Sequence, residues 1–435
     1  MGQSRNKAAA LLALSLSLAG CAAYRPLALP AAPALKTTLT IPGPLSPAQV
    51  ALLAVRNDPD LIAARAQHGI GAAELLSAGL PPDPSFSGGF AALLSGPAAM
   101  PALSAGLTQD VSALITYRAV RLAAKAGLAQ IDADILWQEW QVADQAEQLC
   151  VTLAGADQTL ASLHADAAAL RALDRAVRGA VSSGDLTVAD ASASATTLAG
   201  IETALDTEDQ AQAQARNQLD ALLGLAPGVV IPLAIPTVAP IPAAVAQQAI
   251  ATLPRRRPDL IALRYAYQQA NETLRAAIIS QFLPITLGAS GGRDTSGVAS
   301  LGPQVTLTLP LFNHNRAAIK ADEASRAALR AQYAANLDSA AAGAEALEAG
   351  IPLLQTQLAQ AETAAAQARA RAQAAGRAYL AGAIDARAEA DLITAAGERQ
   401  REAISLRTQL QTAQFSLATL LGLGLPPIAA PDTTS

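Results

Sequence analysis

Two periodicities divide the chain. In residues 300–312, Val305, Leu307, Leu309 and Leu311 alternate with Thr306, Thr308 and Pro310. In residues 284–292, Ile285, Leu287 and Ala289 alternate with Thr286, Gly288 and Ser290. A period of two puts the apolar residues of a strand on one face and the polar ones on the other. Weaker versions occur at 84–94 and 102–111, and each pair is joined by a Gly/Ser/Pro-rich link. The pattern predicts two β-hairpins, about 84–111 and about 283–312, with strands about ten residues long. The other periodic stretches lack helix breakers. Residues 112–226 contain no proline, and residues 311–425 only Pro352, where a kink or local break is expected. A turn interrupts each stretch, at Ser182-Ser183-Gly184-Asp185 and at Leu380-Ala381-Gly382-Ala383. The expected helices are about 112–181, 187–223, 315–379 and 385–421. At 1.5 Å per residue the longer ones reach about 100 Å, beyond any ordinary globular domain. Shorter helices, about 58–80 and 258–282, open on Pro59 and Pro258, where the missing N–H costs nothing. Asp58 is placed to cap the first of them.

The chain also repeats itself. Pro59-Asp60-Leu61-Ile62-Ala63-Ala64-Arg65 recurs as Pro258-Asp259-Leu260-Ile261-Ala262-Leu263-Arg264, 199 residues later. Leu107-Thr108 recurs as Leu307-Thr308, and Arg118-Ala119 as Arg316-Ala317. Gly184 recurs as Gly382, and Leu222 to Leu225 as Leu420 to Leu423. Matches in order at nearly one offset predict a tandem duplication, with a first repeat at 48–235 and a second at 236–435.

Composition narrows the reading. Of 435 residues 108 are alanine, the best helix former, while aromatics make up only 3%. That argues for closely packed long helices rather than one thick core. The net charge of −5 argues against a nucleic-acid partner. His68, His164 and His314 are far apart, as are the two cysteines, so neither a metal site nor a cofactor is expected.

The leader adds a location. Arg5 and Lys7 precede an apolar run from Ala8 to Leu18, the pattern of an export signal at 1–20. It ends in Leu18-Ala19-Gly20-Cys21, which resembles the lipobox of bacterial lipoproteins; cleavage there would leave Cys21 lipidated at the head of a segment spanning 21–47. Each buried CH₂ of an acyl chain contributes about 0.8 kcal/mol, so several chains anchor firmly. Ala22, where the sorting pattern would otherwise carry Asp, points to the outer membrane. Cys150 is then the only other thiol, and no intrachain disulfide is expected. No later stretch has 18 consecutive apolar residues, so a span would have to be made by strands. A soluble sheet gives the same alternation, but a chain directed to the outer membrane favours a barrel. Four strands are too few to close one, and closure therefore requires an oligomer.

These features resemble the outer-membrane efflux protein (TolC-like) family, in its lipoprotein branch serving resistance-nodulation-division pumps. Its carriers are Arg257-Pro258-Asp259-Leu260, Leu309-Pro310-Leu311-Phe312 and the Tyr379-Leu380-Ala381-Gly382 turn, in that order and over essentially the whole mature chain. The resemblance implies an α+β, mainly α, fold: a long α-helical periplasmic barrel plus four transmembrane strands per chain, closing as a 12-stranded barrel in a homotrimer. It implies a passive gated duct, anchored in outer-membrane lipid, that meets a periplasmic adaptor and an inner-membrane pump. It also implies a periplasmic gate at the helical turns, with candidates Asp391, Asp385, Arg387, Asp185 and Asp190. Three copies of an aspartate around one axis would attract cations, and links from Arg387 would hold the tip shut.

Two rival readings remain. Gly288-Ala289-Ser290-Gly291-Gly292 fits a bare Gly-x-Ser-x-Gly pattern, but it lies at a strand end with no helix directly after it, so no catalytic residue is assigned. A periplasmic helical scaffold without a pore would explain the helices and the lipid but not the four strands.

Overall fold

Local signals start most helices of the computed structural model, which describes residues 24–39, 43–92, 94–95, 100–282, 284–309 and 312–423. The leader and Cys21 lie outside these residues. Contacts divide the chain into Met1–Lys36 and Thr37–Ser435. In the first unit, residues 24–36 are exposed and contain no helix.

In the second unit, α1 (Pro47–Asn57) starts at a capping box in which Ser46 and Gln49 serve each other's backbone N–H. Asp58 caps α2 (Pro59–Ala78), its carboxylate accepting from Leu61 N at 2.8 Å. Strands β1 (Ser85–Ala91) and β2 (Ala102–Asp110) follow. Asp110 ends β2 and caps the 73-residue α3 (Val111–Ser183). Gly184 turns the chain with φ 87°, a conformation that favours glycine, and α4 (Val188–Leu222) returns from it. Two short helices come next, α5 (Ala243–Ala251) and α6 (Leu253–Arg256). Then follow α7 (Pro258–Ile279), β3 (Ile285–Arg293), β4 (Ala299–Leu307), α8 (Arg316–Leu380) and α9 (Ala386–Leu420). Gly382, at φ 70°, makes the second turn.

Three differences from the expected elements have physical causes. Helices α1 and α5 are not among the expected helices; α1 carries proline at its first helical position, where it is tolerated, and in α5 proline sits one position earlier, as the N-cap Pro242. Strand β4 stops at Leu307, short of the expected end, because Leu307 pairs with Ile285, where its partner strand β3 begins; residues 310 and 311 lie outside the described ones. No break occurs at Pro352: α8 runs from Arg316 to Leu380 without interruption. Pro352 is exposed, so the carbonyl it cannot serve, four residues earlier, is free to bond water.

Helix α3 is central. It packs against α1, α2, α4, α7 and α9, whereas α8 packs chiefly against α7 and α9. Polar contacts stitch α3 to α9: Thr419 donates to Asp144 (3.0 Å), Gln148 to Ser416 (3.1 Å) and Arg401 to Asp166 (2.7 Å). Burial raises the Asp166 pKa, and Arg401 opposes that shift. Arg257 holds Asp259 through two hydrogen bonds, of 3.0 and 2.8 Å, and lies over the Trp137 ring at 4.6 Å. The Arg-Pro-Asp-Leu string thus ties the start of α7 to α3. A buried ion pair of this kind is costly to break from one side.

The sheet is antiparallel in the order β1-β2-β3-β4, so β1 and β4 are its edges. Pro303 lies on the edge strand β4, where proline is tolerated.

Candidate functional site

Registers in the sheet sort its residues onto two unlike faces. Paired residues share a face, and neighbours along a strand alternate. One face carries Phe86 beside Leu107 beside Ala289 beside Pro303. Along the same face, Phe90 pairs with Leu103, Leu287 with Val305, and Ile285 with Leu307. The other face carries Ser87, Gly106, Ser290 and Gly302 in one row and Thr108, Gly288 and Gln304 in another. The apolar face is interrupted at its ends by Gln109 and Arg293. Within one chain the large apolar side chains have no cover: Phe86 is 75% exposed and Leu301 84%. The polar face is built from small residues, and a Cβ added at Gly288 would strike the Leu107 carbonyl. A sheet apolar on one side and small and polar on the other, with strands of seven to nine residues, roughly 23–30 Å long, suits lipid against one face and water against the other. Among the described residues no helix is long and apolar enough to cross a membrane.

The second candidate region is at the helical turns. A cleft of about 700 Å³ lies between the starts of α4 and α9, and Asp190, Asp385, Arg387 and Asp391 line it. Thr187 and Asp190 form a capping box: Asp190 accepts from the Thr187 hydroxyl (2.7 Å) and backbone N–H (2.9 Å), which lowers its pKa. Asp385 caps α9, accepting from Ala388 N at 2.8 Å. Below the cleft, the buried Asp174 of α3 accepts from Ser194 of α4 and from Arg178, each at 2.8 Å. Leu163, Leu170 and Val177 of α3, Ile201 and Leu205 of α4, and Ala390 of α9 form the core there.

No curated relative matches the chain in sequence. The family model described as outer membrane efflux protein matches residues 247–423. The match covers less than half of the chain, so it is a likeness of the second half to that family. That is a family of channels and not of enzymes. The fold likeness extends further. The outer-membrane channel OprN is 16% identical with a TM-score of 0.73, over 86% of this chain and 89% of that one. The outer membrane protein VceC from Vibrio cholerae is 19% identical with a TM-score of 0.72, over 86% and 95%. CusC is 18% identical with a TM-score of 0.73, over 93% and 100%; its structures are described by conformational changes accompanying folding and transmembrane channel formation.

Four of the five gate candidates meet in the cleft. Asp185 does not line it; the Ser183 hydroxyl donates to its carboxylate at 2.6 Å. The expected link from Arg387 is not formed within the chain: among the described residues the Arg387 and Asp391 side chains make no ion pair or hydrogen bond. Both are exposed, and a basic residue four positions before an acidic one is the weaker helical order. Glu389 is two positions from Arg387, so it faces away, toward Gly376 of α8. Its Oε2 is buried without a partner and burial raises its pKa. Asp174 and Ser194 escaped notice in the sequence because a carboxylate twenty residues from its hydroxyl partner carries no local signature.

Proposed function

We propose that three copies of this chain form a passive outer-membrane duct for small molecules. Each contributes four strands to a twelve-stranded barrel, with twelve helical elements continuing it as a periplasmic tube. The two-faced, open-edged sheet carries this reading. Its apolar face needs lipid, its small polar face suits a water-filled lumen, and β1 and β4 each offer an unpaired edge to a neighbouring copy. The edges of the helical layer agree, because α2 and α8 each leave one side open. The two halves are read as a tandem duplication. Tyr117 at the start of α3 donates to the Gly79 carbonyl (2.7 Å), and Asn315, 198 residues later, donates to Ala277 (2.8 Å). A scaffold without a pore gives the sheet no role.

The same reading has Cys21 lipidated after removal of residues 1–20, a periplasmic adaptor docking on the tube, and an inner-membrane pump supplying the energy. Asp391, Asp385, Arg387 and Asp190 form the gate region, with Asp185 at its margin. Arg387 is left to pair across copies, since it does not pair within one.

Single-channel recording of the purified protein in planar bilayers tests the proposal. The intact protein is expected to conduct weakly and to be blocked by divalent cations, and Asp391→Ala to conduct more and lose the block. Absence of any conductance sinks the duct and favours the scaffold. Unchanged conductance and block in the variant remove Asp391 from the gate.

A further inference from the structure

The first turns of α3 gather three cations. Arg118, Arg121 and Lys125 recur at helical spacing on one face of α3 and line a groove of about 820 Å³. Opposite them are Leu75 and Leu76 of α2 and Leu80 just beyond it. Among the described residues none of the three cations forms an ion pair or hydrogen bond, and no acidic side chain lines the groove. The leucines are open as well: Leu76 is 68% exposed and Leu80 61%. Two hydrogen bonds hold this groove at the end of the sheet. Tyr117 donates to the Gly79 carbonyl (2.7 Å), and Gln109, at the end of the apolar face, donates to the Pro82 carbonyl (2.9 Å).

The second half differs at the same level. Counting 198 residues on, Ile319 stands for Arg121 and Glu323 for Lys125, and Glu323 pairs with Lys320 at 2.6 Å. On the facing helix Arg275 stands 199 residues after Leu76 and pairs with Glu272 at 3.3 Å. Those two cations have carboxylates within the chain. In the first half, exposed leucines and unpaired guanidiniums share one groove instead.

We infer that this groove binds the phosphate head of an anionic phospholipid, with the leucines lying under its acyl chains. The inference rests on the sheet spanning a membrane, as proposed above. Arg118 stands about 10 Å along α3 from Val111, its first residue, and Arg121 about 15 Å. Helical side chains lean toward the N-terminus, which here is the sheet end. Both guanidiniums are therefore carried toward the headgroup layer, which is about 5–8 Å deep on each side of a bilayer. Lys125, about 21 Å along, adds positive charge behind them. Guanidinium forks pair with phosphate oxygens through two parallel hydrogen bonds. A soluble phosphate would satisfy the arginines but leave Leu76 and Leu80 facing water, which favours a lipid.

Native mass spectrometry of the full-length protein in detergent, titrated with phosphatidylglycerol, tests this. Saturable retention of about one lipid per chain is expected, with diacylglycerol held at least about tenfold more weakly. Arg118→Gln with Arg121→Gln is expected to weaken phosphatidylglycerol retention at least about tenfold. Lys320→Gln, at the same level of the second half and already paired, should leave it intact. Both arginines are exposed, and far-UV circular dichroism verifies folding. Equal retention by the double variant overturns the inference. So does inorganic phosphate binding as tightly as the lipid, which would assign the groove to a soluble anion. Loss of the oligomer in the double variant without loss of lipid also overturns it, and would assign the arginines to a neighbouring copy. Urea-resistant insertion into phosphatidylglycerol vesicles reads the barrel separately. Protein that inserts but retains no lipid overturns this inference alone, and protein that does not insert overturns the duct with it.

Discussion

Helices α3 and α8 occupy matching places in the two halves and have similar lengths, 73 and 65 residues, yet they are buried very differently. Nineteen residues of α3 are buried, among them Leu149, Leu153, Leu160, Leu163, Leu170 and Leu173. Only five residues of α8 are buried, and all are alanines. The first helix is finished within one chain, because five other helices cover it. The second lies at an edge, with Leu353 59% exposed and Leu380 86%. Alanine lets a neighbour approach closely without supplying a core of its own. The difference teaches that one chain holds a complete first hairpin and an incomplete second one, and under the proposed trimer a neighbouring copy completes it.

The sharpest test of that contrast is a pair of truncations. Leu170→Ala, at a site 2% exposed, should cost about 3–4 kcal/mol in denaturant unfolding. Leu353→Ala should cost less than about 0.5 kcal/mol if its site stays exposed. A cost above about 2 kcal/mol at Leu353, with loss of the oligomer on a sizing column, would instead locate the copy-to-copy contact there.

The next test concerns the tips. Asp174→Ala removes a buried carboxylate and strands the Ser194 hydroxyl, so a loss of about 2 kcal/mol is expected. The corresponding residues 198 positions later are Ala372 and Leu392, so the second tip lacks this tie. Hydrogen exchange should therefore be faster around Gly382 than around Gly184; the reverse order would place the looser hairpin in the first half.

Glu147 offers a test by pH. Burial first, and Asp144 second, raise its pKa to about 7 from 4.5. A carboxyl raised in the folded state stabilises while protonated, and that contribution is lost as pH rises from about 4.5 through 7. Glu147→Gln should therefore match the parent below pH 4.5 and exceed it by roughly 1–2 kcal/mol above pH 7, read from unfolding midpoints. Equal midpoints at pH 8 would show that Glu147 is hydrated. Small effects are also expected at the turns, where Gly184→Ala and Gly382→Ala should each cost about 1 kcal/mol because both glycines have positive φ.

The types of the main elements were legible in the sequence because their signals are local. Alternation at 284–292 marked β3, the absence of proline marked α3 and α4, and Asp58-Pro59 marked the start of α2. Helix α1 could have been found from Ser46-Pro47-Ala48-Gln49, a capping-box spacing with proline at the first helical position. Of the kink or local break expected at Pro352, the break does not occur, because a proline deletes one hydrogen bond and the exposed site leaves water for the freed carbonyl. Four gate candidates do meet in one cleft, but that Asp385 and Asp190 serve as caps was visible only in their partners.

The sequence by itself determined where the chain is strand and where it is helix, that its two halves echo each other, and that its wall material is alanine. Backbone preference and side-chain period act over a few residues, so they are written locally. Only the tertiary structure decided which of two similar long helices is enclosed and which is left at an edge. It also decided that Arg65 of α2 is matched by Glu139 of α3, 74 residues away. Burial and charge compensation depend on neighbours tens of residues away, which no local period records.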